Sequence, residues 1–180
     1  MKNSYSSRCI VVATIFSSFL TLSCYNPGPN TVVKQSVPGT VGKDKLLEEN
    51  KALVRKFYEA LSDTNWSLAK TLVHKDYKHY FVKDTGFASI SWNGFEQGYK
   101  ASHNAFPDWK LTPFKIIAEG DFVSVLLNAE GTHLGNFAGI AATNVKARAP
   151  IMLLHEIKEG KLVADWEIMN TALFLKQLKK

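Results

Sequence analysis

Cysteine is almost missing from this chain of 180 residues: there are two, Cys9 and Cys24, both near the N-terminus. Everything after residue 24 is therefore without a disulfide, and its stability has to come from a packed core. The sequence has no Gly-x-Ser-x-Gly elbow, no P-loop, no dinucleotide fingerprint and no histidine–carboxylate pair at helical metal spacing. Its five histidines are dispersed, which does not make a zinc site, so no metal and no cofactor is expected. The basic residues are scattered apart from the tail Lys176, Lys179 and Lys180, and no basic stripe interleaves with aromatics. Nucleic acid is not an expected partner. No internal repeat is present, and 46% hydrophobic with 21% charged residues is the composition of one globular domain.

What is present first is an address. Lys2 and Arg8 precede an uncharged, mostly apolar run from Ile10 to Leu22, which has the length of a signal-peptide core and is short for a bilayer span. The run ends in Leu20-Thr21-Leu22-Ser23-Cys24. That ending resembles a bacterial lipoprotein signal, in which a small residue precedes a cysteine that is lipidated and becomes the mature N-terminus. Thr21 departs from the pattern, whose leucine stands three residues before the cysteine. Residues 1–23 are expected to be removed, which takes the net charge from +6 to +4. Cys24 is expected to anchor the protein in the cell envelope through its acyl chains. Tyr25, not aspartate, follows it, which favours the outer membrane by analogy. An ordinary cleaved signal peptide with Cys24 incidental, and an uncleaved anchor, are the alternatives. Residues 24–43, rich in proline, glycine and small polar residues, read as a flexible linker.

The domain, residues 44–180, starts with apolar residues at helical spacing. Leu46, Leu47, Leu53, Val54, Phe57, Tyr58 and Leu61 share one face, with Asp44 as N-cap. Asp63-Thr64-Asn65 ends this helix and caps a second, Trp66 to Val73. Asp76 to Phe81 reads as a short strand, and Asn93-Gly94 opens a third helix ending at Pro107. The period then changes to two: Trp109–Ala118, Phe122–Thr132, Val145–Ile157 and Leu162–Asn170 read as strands, with hairpin turns at Glu119-Gly120-Asp121 and Lys158–Lys161. A short helix, Ala172 to Lys179, follows. Helices first and an antiparallel meander afterwards make an α+β domain, helices packed on one face of a curved sheet.

Several stretches resemble one family. Leu53 to Leu61, Ala105-Phe106-Pro107-Asp108-Trp109, Ala118-Glu119-Gly120-Asp121, the block Gly131-Thr-His-Leu-Gly-Asn-Phe-Ala-Gly-Ile140, and Trp166 with Gln177-Leu178 are similar in order and spacing to SnoaL-like polyketide cyclases and predicted ester cyclases. The similarity runs from about 50 to 180, and the glycine block is its most specific part. It implies the cone-shaped nuclear-transport-factor-like fold, α+β with one pocket, and dimerisation through the sheet. Members include isomerases, dehydratases, cyclases and proteins with no known reaction. The resemblance also implies an acid/base carboxylate four residues after the tryptophan. Here that position is Asn170, an amide, which orients a carbonyl but carries no proton.

Alternation puts Ile151, Leu153, His155 and Ile157 on one strand face, and Trp166, Ile168 and Asn170 on one face of the next. If both are concave, His155, Trp166 and Asn170 converge. His155 is then the candidate general base, disfavoured from charging by burial, with Asn170 and His79 orienting the substrate. Ligand contacts are expected from Trp166, His133, Phe137, Tyr99 and Leu153. Asp165 and Glu167 alternate away and are expected as surface or dimer-interface charges. The glycines Gly131, Gly135 and Gly139 are expected to free φ or allow close backbone approach in a loop over the pocket mouth. The expected function is a membrane-anchored pocket for a small, mostly apolar, carbonyl-bearing ligand, with cyclase-, isomerase- or lyase-type proton transfer. A non-catalytic binding or dimerisation module on the same fold is the alternative.

Overall fold

The computed structural model describes residues 40–179. The expected signal peptide, the lipidation site Cys24 and most of the linker lie outside the described residues. Helix α1 spans Thr40–Ser62, so it starts before Asp44 and takes up the last linker residues; Asp44 sits within the helix, not at its cap. Asn65 caps α2 (Trp66–Leu72), its side-chain oxygen accepting from the Leu68 N–H at 3.1 Å. Strand β1 is longer than expected, Val73–Lys83, and turns into β2, Gly86–Ser91, for which sequence patterning gave no sign. Helix α3 (Trp92–Ala105) leads into β3 (Lys110–Glu119), β4 (Phe122–Thr132), β5 (Lys146–Lys158), β6 (Lys161–Met169) and α4 (Thr171–Leu178).

The six strands form one sheet in the order β2-β1-β6-β5-β4-β3. From β3 to β6 it is an antiparallel meander, as the strand periodicity predicts, whereas β1 joins β6 in parallel. Helix α1 packs on β3 and β4, α3 on β1 and β2, and α4 on β5. The covered face is apolar: Val123, Val125, Leu127 and Ala129 of β4 and Ala147, Ala149, Ile151, Leu153 and Ile157 of β5 are buried. Against them pack Val54, Phe57 and Leu61 of α1 and Phe95 of α3, so that one face of each helix and one of the sheet leave water together. This is the α+β arrangement expected.

One irregularity decides which side chains face inward on β6. The turn pairs Lys158 with Lys161 and Ile157 with Leu162, with Glu159 and Gly160 both at positive φ (52° and 68°), the geometry of a type I′ hairpin. An unbroken ladder would next pair His155 with Ala164 and Leu153 with Trp166. Instead the register slips at Glu156–Ile157, and His155 pairs with Asp165, Leu154 with Trp166. Such a slip sends every later side chain to the other face. Asp165, Glu167 and Met169 therefore point toward the helices, and Trp166 and Ile168 away from them.

Candidate active site

Between the helices and the sheet lies a cavity of about 140 Å³. Phe106, Trp109, Phe137 and Phe174 form an aromatic wall; Ile151 and Met169 close the sheet side. Its polar lining is Tyr99, Ser102, Thr171 and Glu167, of which Glu167 is the one carboxylate. Burial pushes the Glu167 carboxyl above its usual range, a rise opposed by the charge of His79 and assisted by that of Asp165. Burial also holds the Tyr99 hydroxyl well above its ordinary value, with the Glu167 and Asp165 charges adding to it, so Tyr99 stays a neutral donor.

Beside the cavity runs a buried polar cluster. The Tyr77 hydroxyl donates to Asp165 Oδ2 at 2.6 Å, and His79 Nδ1 lies 2.6 Å from Asp165 Oδ1. His155 Nδ1 stands 3.6 Å from Asp165 Oδ2, beyond hydrogen-bond reach, and its Nε2 is 2.6 Å from the Tyr58 hydroxyl. Burial holds both tyrosines well above the ordinary phenol range, reinforced by the Asp165 charge. Both are therefore protonated donors, and the neutral imidazole of His155 accepts at Nε2. Burial outweighs the Asp165 charge and lowers His155 to about 4, so it is uncharged at neutral pH.

The residues expected to converge are placed apart. Trp166 lies on the outer face, its ring stacked on Tyr80 at 5.2 Å. Asn170 is the N-cap of α4, its side chain accepting from the Leu173 N–H at 3.0 Å, and it is exposed. Neither converges with His155, because the slip at Glu156–Ile157 reversed the parity of β6. His155 faces inward as expected, but it is 0% exposed and does not line this cavity. As placed, it supports the core and does not reach a ligand. Asp165 and Glu167, expected at the surface or a dimer interface, face inward.

Tyr99 and Phe137 line the cavity; Leu153 is buried on the inner face next to it. His79 is buried beside Phe95, ring centroids 5.0 Å apart, and Phe95 in turn touches Tyr99. His133 is fully buried, stacked on Phe106, and organises the loop: its N–H donates to the Val145 carbonyl and its own carbonyl accepts from Thr143 and Asn144. Sequence reasoning missed Tyr58, Tyr77, Asp165 and Glu167. The available signal was two polar pairs at spacing two on strands, Tyr77-x-His79 and Asp165-x-Glu167.

The glycine block docks on the end of α3: the Leu134 and Gly135 N–H groups both donate to the Ala105 carbonyl. A Cβ on Gly135 would stand 2.7 Å from the Asn104 carbonyl oxygen, so only glycine permits this approach. Gly139 has φ +77°, which lets the chain double back and places Phe137 over the cavity.

The model of the SnoaL-like polyketide cyclase family matches residues 51–178. The chain belongs to this family. Its fold agrees with that of solved SnoaL-like structures. AclR, a proposed hydroxylase from Streptomyces galilaeus, is 25% identical over 74% of this chain and 97% of its own, with a TM-score of 0.67. IdmH, a proposed polyketide cyclase from Streptomyces antibioticus, is 21% identical over 73% and 99%, with a TM-score of 0.66. A proposed SnoaL-like polyketide cyclase from Jannaschia sp. CCS1 is 13% identical over 73% and 92%, also at 0.66. No curated protein matches the chain. Against the SnoaL-like pattern, the amide at position 170 caps a helix here.

Proposed function

We propose that this SnoaL-like domain binds a small, mostly apolar carbonyl compound and transfers a proton at the carbon next to the carbonyl, as the first step of a cyclisation, isomerisation or elimination. The observation that carries this is Glu167, a carboxyl of raised proton affinity in the lining of an aromatic-walled cavity. Desolvation of that kind turns a carboxylate into a stronger base, and Tyr99 offers a neutral hydroxyl to the enolate oxygen. The size of the cavity supports a small ligand. At about 140 Å³ it is near the benzene-sized cavities engineered into proteins, about 150 Å³, and well below the ~300 Å³ where pockets for drug-sized ligands begin.

The reading is tested by deuterium exchange at the central carbon of small 1,3-dicarbonyl probes such as acetylacetone and cyclohexane-1,3-dione. Wild-type protein is expected to accelerate exchange, and Glu167→Gln to lose roughly 10²–10⁴-fold of that acceleration. Exchange unaffected by the substitution refutes the assignment. The non-catalytic alternative gives a different result: the probes raise the melting temperature of both proteins alike, with no exchange above background.

Two expectations about setting belong to the same proposal. Lipidation of Cys24 would tether the domain to the cell envelope, and Cys24→Ala should then release it from the membrane fraction. Among the described residues no helix is long and apolar enough to cross a membrane. A second copy of the chain is proposed to cover the outer sheet face, where Phe87, Phe122, Met152, Leu154, Trp166 and Ile168 line an open apolar groove of about 530 Å³. Contiguous apolar surface of this kind marks an interaction site.

A further inference from the structure

Asp165 is fully buried and contributes nothing to the cavity wall, yet Tyr77, His79 and His155 converge on it. A carboxylate accepts and never donates, so the 2.6 Å contact with His79 Nδ1 puts the imidazole proton on that nitrogen. Nε2 of His79 is left as the nitrogen that gains and loses a proton, and among the described residues no hydrogen bond uses it. The parallel pairing of β1 with β6 sets His79 beside Asp165 and Phe81 beside Glu167. The imidazole, which like His155 is not part of the cavity lining, and the cavity carboxyl are thus diagonal neighbours on one sheet face. We propose that Asp165 is a positioning residue, holding His79 in the Nδ1-protonated tautomer, and that His79 acts through Nε2 as a second proton carrier beside Glu167.

The surroundings of His79 fit this role. Burial lowers its affinity for a proton, but the hydrogen bond with Asp165 and the charges of Asp165 and Glu167 outweigh burial, and it lies above its ordinary value. The titratable groups acting on it are Asp165 and Glu167 on β6 and His155 on β5; around them stand Tyr77 on its own strand, Tyr58 on α1 and Tyr99 on α3. The two tyrosines that touch the Asp165–His155 pair are held neutral, and so is His155. Besides Asp165, His79 and Glu167 are the remaining titratable groups of the cluster, both raised and diagonal to each other across the β1–β6 pair.

This inference rests on the Glu167 reading, but its first test needs no ligand. Imidazole ¹⁵N shifts of the free protein should show His79 with the proton on Nδ1 after deprotonation. Asp165→Asn should lower its titration midpoint by about one unit or more, the size of effect an adjacent opposite charge exerts. Tyr77→Phe, which removes one donor from Asp165 and leaves it a stronger acceptor for His79, should raise the midpoint, and it serves where Asp165→Asn fails to fold. A proton on Nε2, or a midpoint unmoved in the folded variants, overturns the proposal whatever Glu167 does. If Glu167→Gln leaves exchange intact while the ¹⁵N result holds, the positioning role stands and the carrier role falls. In the dicarbonyl exchange assay, the limb of the pH profile set by His79 should move with the midpoint in either variant; a change in KM alone argues for a structural role.

Discussion

Protonating His155 would place a charge where Tyr58 already occupies Nε2 and Asp165 stands too far off to bond Nδ1. The consequence for stability has a definite sign. Its folded value, about 4, lies below the unfolded 6.5, so the unfolded chain binds the proton more tightly and stability falls as pH drops from about 6.5 toward 4. A shift of that size corresponds to about 3 kcal/mol once the pH is below both values. His79 and Glu167, both raised, act oppositely: each adds stability at low pH that is lost as pH rises through its folded value. Urea unfolding at pH 7, 5 and 4 should show a net acid loss, and His155→Gln should flatten it. Tyr58→Phe strands the His155 nitrogen in the core and should cost about 1–3 kcal/mol at pH 7. That His79 is backed by a buried Asp165 was only half visible beforehand. A residue type names its chemistry, but its face depends on pairing.

At the level of elements, turns were readable, and so was the cap at Asn65, whereas the caps at Asp44 and Asn170 were misjudged. The β4 boundaries, the hairpin at Glu159-Gly160 and the Asn65 cap agree with expectation because each is set by local chemistry: alternation, positive φ, a side-chain acceptor. Strand β2 went unseen because it is a short edge strand defined by pairing with β1. The glycine block is legible in its sequence and specific in its packing. Gly135→Ala drives a Cβ into the Asn104 carbonyl, and overpacking against backbone typically costs about 1–3 kcal/mol. A melting temperature lowered by several degrees, with Phe137 fluorinated and its ¹⁹F signal displaced, is the expected result. Helix α4 is fastened by Gln177, whose amide both accepts from the Arg148 N–H and donates to its carbonyl. Gln177→Ala should loosen this helix, shown by faster hydrogen exchange in Phe174 and Leu175, with a modest overall loss of about 1 kcal/mol.

For the whole molecule, the sheet has two apolar faces, and among the described residues the helices cover one of them. Met152, Leu154 and Ile168 are between 38% and 54% exposed on the open face, around the Trp166–Tyr80 stack. A charge there meets nothing in the monomer but would be buried in a pair of copies, where an unpartnered charge is strongly unfavourable. Leu154→Glu is expected to yield a monomer by light scattering, at a folding stability close to wild type. A wild-type protein that is monomeric at tens of micromolar removes the second copy as the occupant of this face.

From its residues alone this chain determined the α+β class, the antiparallel meander, the glycine block and the family to which it belongs. Those follow from periodicity, turn chemistry and motif, all of which act over a few residues. Only the tertiary structure decided which polar residues are inside. A single slipped residue between β5 and β6 turns Asp165 and Glu167 toward the helices and Trp166 toward the outside, and parallel pairing with β1 then brings His79 alongside. Alternation has a period of two and no absolute phase. The phase comes from the neighbouring strand, and with it which carboxylates face inward.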